Sequence, residues 1–566
     1  MIGVIAVHGQ WCADPSQNTR LVEPAVRGYE ISSAGNGWFL AYDSPAAGSS
    51  AQDSVNPHLQ YYFPDGDPAW ESPIEIARHR SLPTGFVHQR LLVDKEGNAL
   101  VIAQDLRADG GISGKTVYAA YRVSPEGVHL WNPEGVELHG GHLPGFCAAL
   151  RMIQLEDGSF IFAWVESEEG ENIDFIRMQR VSAQGEILWG TGKTLREDGV
   201  MVSYPALVSA GNNEYLLAYT RGSDLFVQKF DFDGNAVWPE PTQVFSGTLP
   251  NVPAYTFLDA RKAGDGILLA FHAGNGPTYP YCAYIRSDGS HAFAEGDAGL
   301  RLGYSERNAT NVKLCIDTSA GVAYAVWREY HSQDMLGYYG LVAQKISLDG
   351  ELLWNSEGLE IVPLSTYGID DWQISMGPKN TVMVVYNQWA ENGDFDDQRI
   401  LAVLFTPEGE PAWEAHALVS SCSSKKTRLQ AIRSGDQWIA AWQDCRDFDG
   451  NIRSNIYAQN LDASGSIGPE TGTESGMSQM SVHPSIVPNP VSGHCKIRFV
   501  SETGVDCLRV DVYSLRGALV SSLYEGPCRA GLHVLEWNRP DGLPAGMYIL
   551  RISAGHKISD TKILVL

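Results

Sequence analysis

Short apolar runs ending in an aromatic or small residue recur along the chain, most of them just after a turn signal. They are WFLAY to Tyr42, ALVIAQ to Gln104, FIFAW to Trp164, YLLAY to Tyr219, ILLAF to Phe271, AYAVW to Trp327, VMVVY to Tyr386 and WIAAW to Trp442. Such continuous apolarity over five or six residues predicts strands buried on both faces. Turns such as AGNG, LEDG, AGNN and AGDG precede most of these runs, so a hairpin feeds each one from an earlier strand.

A second pattern follows each run: a Gly with an aromatic four positions on. It ends at Trp70, Trp131, Trp189, Trp238, Phe293, Trp354 and Trp413, at intervals of 61, 58, 49, 55, 61 and 59 residues, and an eighth copy at Ser464 lacks the aromatic. Asp65-Gly66, Asp233-Gly234, Asp288-Gly289 and Asp349-Gly350 supply the positive φ of a tight hairpin. Each unit therefore reads as four strands: an inner one such as ALRMIQL, the buried run, a third such as FIRMQRVS, and a fourth that opens on the aromatic. Four-stranded units at this period predict an all-β, eight-bladed β-propeller rather than a solenoid. The last unit stops short, and QWCADPSQNTRLV from Gln10 to Val22 has the missing pieces, with Trp11 in the aromatic slot. The N-terminal strand is expected to close the last blade.

The domain reading places the propeller at 10–468, a Gly/Ser-rich linker at 469–482 and a small Ig-like β-sandwich at 483–566. Residues 1–9 read either as a signal-peptide remnant or as an ordinary first strand. In the last 84 residues Pro488-Asn489-Pro490, DVYSLRG from Asp511 to Gly517, AGLHVLEW from Ala530 to Trp537 and LPAGMYILR from Leu543 to Arg551 occur in that order. This segment resembles the type A C-terminal sorting domain of type IX secretion, although the basic terminal residue often seen there is absent. The resemblance implies Sec export, passage across the outer membrane with the type IX machinery as partner, and a secreted or outer-surface location. A carbohydrate-binding or generic Ig-like module is the alternative. The front 480 residues resemble the Trp-rich repeat propellers that accompany such domains in Bacteroidota-like bacteria, a likeness that implies no chemistry.

Composition narrows the partners. Charged residues are 19%, aromatic residues 10% and Gly 58 of 566, a balance favouring short strands and tight turns. A net charge of −26 without a basic stripe argues against nucleic acid, and no apolar run is long enough to span a membrane. The nine cysteines form no CxxC, and if a disulfide joins the last blades, Cys422 with Cys445 is favoured over Cys12 with Cys445.

Strand direction puts the loops between second and third strands on the same face as the links between blades. From the buried aromatic to the turn Gly the spacing varies from 15 (Tyr219 to Gly234) to 24 (Tyr42 to Gly66), so length variation concentrates on that face. Polar residues follow the buried runs there: Asp43, Asp105, Glu166, Arg221, His272, Arg328, Glu329, Gln388, Asp444 and Arg446. Asp43, Asp105, Glu166, Arg328, Glu329, Asp444 and Arg446 are the expected ligand-binding residues, set against a reading in which they only cap strand ends. The acidic stretches DFDD (394–397) and DCRDFDGN (444–451) allow calcium, yet neither matches a helix–loop–helix calcium loop and acidic loops are commonly just solvated; no other cofactor or metal is expected. Asp boxes, a nucleophile elbow, HExxH and a P-loop are all absent, and no catalytic residue is identified. Trp164, Trp327, Trp372 and Trp442 offer either sugar platforms or core. The resulting expectation is a non-enzymatic ligand-binding or adhesion propeller for an unknown glycan or protein; the alternative is a carbohydrate-active or other hydrolytic enzyme, for which no acid pair is identified.

Overall fold

The computed structural model describes residues 11–468 apart from 24–27, 36, 46–54, 78–89, 106–116, 143, 169, 171–172, 247–257, 275, 334–335, 390–395 and 448–453. It also describes 5–6 and 485–566 apart from 488, 502–504, 515–517, 529–530, 541 and 555–556. The chain is an all-β propeller of four-stranded antiparallel sheets; among the described residues there is no α-helix and no helix long enough to cross a membrane. A representative blade runs Phe146–Gln154, Phe160–Ser167, Phe175–Val181 and Lys193–Leu195 from inside to outside. The second strand is the buried run of the sequence pattern: all eight residues of Phe160–Ser167 are buried, between one hydrophobic cluster on each side.

Eight such sheets are described between Thr19 and Asp462. Their first strands neighbour one another in chain order, and Tyr29–Ala34 also lies against Lys426–Ser434. The sheet holding Lys426–Ser434, Gln437–Asp444 and Asn455–Asp462 takes its outer strand, Thr19–Val22, from the start of the chain, in the register Thr19↔Ala458 and Arg20↔Tyr457.

The coupling of Gly to aromatic has a packing cause. The aromatic of one blade lies on the turn glycine of the next, so close that a Cβ on the glycine would stand 2.9 Å from Trp11 at Gly66, 2.9 Å from Trp131 at Gly185, 3.1 Å from Trp189 at Gly234 and 2.7 Å from Phe293 at Gly350. The indole N–H then donates to the carbonyl two residues before the glycine: Trp11 to Pro64 (2.8 Å), Trp70 to Pro125 (2.9 Å), Trp131 to Ala183 (3.0 Å), Trp238 to Ser287 (3.2 Å) and Trp413 to Ala463 (3.0 Å). Trp11 is 3% exposed, so the N-terminal segment makes the same blade-to-blade joint as the internal copies.

Beyond the propeller, two four-stranded sheets enclose one core built from both, with Ile497, Phe499 and Trp537 from one and Val510, Leu550 and Ile563 from the other. The strand Ile5–Ala6 pairs with Gly531–Asn538 in this region. Arg498 reaches back to the propeller, 3.8 Å from Asp67 and with its guanidinium 4.6 Å from the Phe63 ring centroid. The expected linker, 469–482, lies outside the described residues. Cys12, Cys422 and Cys445 are free thiols, so the favoured Cys422–Cys445 pairing is not formed.

Candidate functional site

The first strands of neighbouring blades belong to separate sheets, so each presents an edge to the next that the backbone ladder leaves open. Side chains close these edges. Glu30 accepts from the Leu91 amide (2.7 Å) and from Arg90 (2.6 Å), Asp259 from the Leu314 amide (2.8 Å), and Gln430 from the Ile31 amide (2.9 Å). Gln373 donates to the Leu429 carbonyl (2.8 Å) and Lys313 to the Trp372 carbonyl (2.5 Å). The innermost strands are thus lined with polar residues that are partly exposed. Four of them also carry a bulge near the outset, at Ala149, Tyr204, Asn311 and Arg428, with φ of 55°, 56°, 55° and 56°. Such bulges re-aim the side chains that follow, and non-Gly residues in this conformation are strained.

One pair of carboxyls stands at the start of a first strand on the variable-loop face. Asn387, buried at the end of a second strand, accepts from the amides of both Asp370 (3.1 Å) and Asp371 (2.8 Å) through its side-chain oxygen, fixing this turn of chain ahead of Trp372–Met376. The two carboxyls then meet different surroundings. Asp371 accepts from Lys313 at 3.0 Å. Asp370 keeps an exposed side yet is crowded by protein, and this desolvation raises its carboxyl above the ordinary range, opposed by Arg328 and reinforced by Asp371. Arg328 donates to the Ile369 carbonyl at 2.7 Å, which holds it beside Asp370. Phe146 and Tyr367, 52% and 41% exposed, present aromatic rings on the same face.

Most of the expected ligand-binding residues prove to be consumed inside the blades. Glu166, Glu329 and Asp444 each stand two residues after a buried Trp and accept from its indole: Trp164 to Glu166 (3.0 Å), Trp327 to Glu329 (3.5 Å) and Trp442 to Asp444 (2.8 Å). Glu166 is fully buried and also meets Arg177 (2.8 Å) and His142 (3.0 Å). Burial works to raise its carboxyl, but His139, 3.5 Å away, and hydrogen bonds from Arg177 more than offset this and hold it at about 2. Glu329 binds Ser305 (2.6 Å) and Arg307 (3.0 Å). Asp444 and Arg446 are brought together at 2.6 Å, with buried Lys426 3.6 Å from Asp444; burial pushes the Lys426 ammonium down to about 8 against that carboxylate. Asp43 is buried with its amide donating to the Gly28 carbonyl (3.0 Å), and Asp105 is buried at the end of its strand opposite Val117. Only Arg328 joins the acid pair. Trp164, Trp327, Trp372 and Trp442 are all core, at most 1% exposed, and none is a sugar platform. Among the described residues no group of three or more His, Cys, Asp or Glu is arranged to hold a metal ion; 394–395 and 448–451 of the acidic stretches lie outside them.

Asp370 and Asp371 were open to view in the sequence as an acid pair before Trp372. Glu30, Arg90, Asp259 and Lys313 carried no signal there, because lateral reach between blades and the bulges that set it are not periodic features.

No family model matches the chain, and no curated protein does. Solved structures do. Polysaccharide lyase Uly1 aligns at 10% identity over 69% of this chain and 93% of its own, with a TM-score of 0.41. The β-propeller domain of the Trilobed protease from Pyrococcus furiosus aligns at 10% over 70% and 98%, TM-score 0.35. The endo-arabinase from Bacteroides thetaiotaomicron VPI-5482 aligns at 11% over 58% and 94%, TM-score 0.27. A family-43 glycoside hydrolase, an arabinanase, an exo-galactanase and an arabinofuranosidase are among the others. The glycoside hydrolases among them stand against the expectation of a non-enzymatic adhesion or ligand-binding protein. The likeness is one of architecture, so the chemistry has to be argued from this chain's own residues.

Proposed function

We propose that the propeller is a carbohydrate-active hydrolase with its site at the channel mouth, Asp370 acting as proton donor and Asp371 as the second carboxyl of the pair. The observation that carries this reading is the different surroundings of the two carboxyls: crowding raises Asp370, while Lys313 sits on Asp371 at 3.0 Å. Glycosidic hydrolysis needs that asymmetry, one carboxylic acid to protonate the leaving oxygen and one carboxylate to activate water or attack the sugar. The test is release of reducing ends from a panel of neutral and charged polysaccharides by the full chain. Asp370→Asn and Asp371→Asn should each lower kcat by about 10²-fold or more. Full activity in Asp370→Asn, or no cleavage across the panel, refutes the assignment.

We further infer that the ring has eight blades, closed by the N-terminal strand, and that residues 483–566 form a β-sandwich serving as a type A sorting domain for type IX secretion. The eight sheets between Thr19 and Asp462 and the pairing of Thr19–Val22 with Asn455–Asp462 support the first part. Four sorting motifs in order and the single core shared by the two C-terminal sheets support the second. On this reading the protein is delivered to the cell surface or the medium. Deleting 483–566 should trap the propeller in the periplasm of a type IX host; equal surface exposure of both forms to protease on intact cells overturns the sorting role.

A further inference from the structure

The chain carries a net charge of −26, yet its first strands gather cations around the channel. Arg90, Arg151, Lys313 and Arg428 stand on four of them, Arg90–Val93, Phe146–Gln154, Asn308–Asp317 and Lys426–Ser434. These cations differ in how they are used. Arg90 is matched by Glu30 at 2.6 Å and Lys313 by Asp371 at 3.0 Å. Arg151 and Arg428 have no carboxylate within ion-pair distance among the described residues. The Arg151 guanidinium only turns back to the carbonyl of its neighbour Leu150 (3.0 Å), and Arg428 is exposed, its Nη1 3.3 Å from the point where a Cβ on Gly28 would stand.

Both unmatched cations sit at bulges. Arg428 itself has φ 56°, and Ala149 with φ 55° lies two residues before Arg151. A left-handed conformation at a residue with a long side chain persists only where the surroundings impose it, and here it places a guanidinium at the mouth of the channel. Arg151 also has a like charge near it: burial and then Arg90 push its guanidinium down to about 10, with Glu30 and Asp259 acting the other way. A cation crowded and left without its own counter-charge gains more from an incoming anion than one already paired in solvent.

We propose that the channel mouth binds an anionic glycan, Arg151 and Arg428 taking its carboxylate or sulfate groups, so that the substrate class of the site is a uronic-acid-containing or sulfated polysaccharide. The word substrate rests on the hydrolytic reading of Asp370 and Asp371; anion capture rests on the two arginines alone. Planar guanidinium groups grip both carboxylate and sulfate in bidentate fashion, so the two sources are told apart by the ligand used.

Affinity electrophoresis and calorimetry on the full chain would use two matched pairs: polygalacturonate against its methyl-esterified form, and a sulfated galactan against the same polymer desulfated. At least one charged polymer should bind tenfold or more tightly than its neutral counterpart, with affinity falling as NaCl rises. Arg151→Gln and Arg428→Gly should each weaken that binding tenfold or more; the glycine relieves the strained φ, so a folding defect does not stand in for the result. Arg433→Ala, at the other end of the same strand as Arg428, should leave it unchanged. Equal binding of charged and neutral partners, or charged binding indifferent to both substitutions, overturns the proposal. Cleavage confined to neutral polymers, dependent on Asp370, overturns it while sparing the hydrolytic reading. Arginine-dependent capture of a charged polymer without cleavage of any polymer upholds it and removes the hydrolytic reading instead.

Discussion

The joint between Trp11 and Gly66 can be weighed by replacing the glycine. Gly66 has φ +85°, and an added Cβ would fall 2.9 Å from Cε2 and Cζ2 of the indole. Gly97 has nearly the same backbone, φ +86°, with nothing within 4 Å of its virtual Cβ. Gly97→Ala should therefore cost only the left-handed strain, about 1–2 kcal/mol. Gly66→Ala adds overpacking of about 1–3 kcal/mol, for a total of about 2–5 kcal/mol. Trp11→Ala should cost about 3–5 kcal/mol through loss of a buried indole. In the Trp11→Ala background the overpacking disappears, so Gly66→Ala should fall back to about 1–2 kcal/mol, a coupling of about 1–3 kcal/mol. Scanning calorimetry reads these differences: an unfolding entropy of roughly 2.1 cal/mol/K per residue over about 450 residues makes each kcal/mol worth about 1 °C in Tm. Equal shifts for Gly66→Ala and Gly97→Ala, or a cycle that closes additively, would refute the claim that the N-terminal aromatic is seated on this glycine.

Other outcomes follow from the same contacts. Glu166 has its carboxyl depressed from 4.5 to about 2, so the stability it contributes is present above pH about 4.5 and lost as pH falls through about 2. Glu166→Gln should lower stability by about 3 kcal/mol at pH 7 and converge on the parent at the acid end of a pH series of denaturant melts. Burial raises Asp65 from 3.8 to about 6, so its ionisation opposes folding as pH rises through that range; Asp65→Asn should stabilise at pH 7 and change little at pH 3.5, by the same measurement. If Asp370 is the proton donor, kcat should fall on the alkaline side with a midpoint above that of an ordinary carboxyl, and a pH profile flat across that limb would speak against it. Maleimide labelling of the native protein followed by mass mapping should modify Cys12, Cys422 and Cys445 and reach Cys147, Cys282, Cys315 and Cys495 only after unfolding; a protected Cys422–Cys445 pair would contradict the free thiols.

How far the sequence could be read depended on whether a feature repeats. The buried runs, the turn glycines and the aromatic slots recur at a steady interval, and the strands Phe160–Ser167 and Gln437–Asp444 fall on runs named from sequence alone. The functional residues were harder. Glu166, Glu329 and Asp444 stand out in the sequence as charges at strand ends, but their two-residue spacing from Trp164, Trp327 and Trp442 is the informative feature, because alternate strand residues share a face and the carboxylate can accept the indole N–H. Asp370 and Asp371 do not stand out in the sequence beside denser acidic stretches. Their distinction comes from Lys313, Asn387 and Arg328, which are distant in sequence and meet only once the blades are arranged.

The placement of Thr19–Val22 beside Asn455–Asp462 also bears on how the protein is made. Gln459 bonds to the Cys12 carbonyl across 447 residues, so at roughly 5–20 residues per second some 20–90 s of translation separate this N-terminal segment from its partner. Until then the nascent ring stays open, and closing a loop of that length costs on the order of 5 kcal/mol of chain entropy. A chain whose final joint forms only after its last blade has been synthesised remains unlatched until then, a state suited to any transport step that must precede folding.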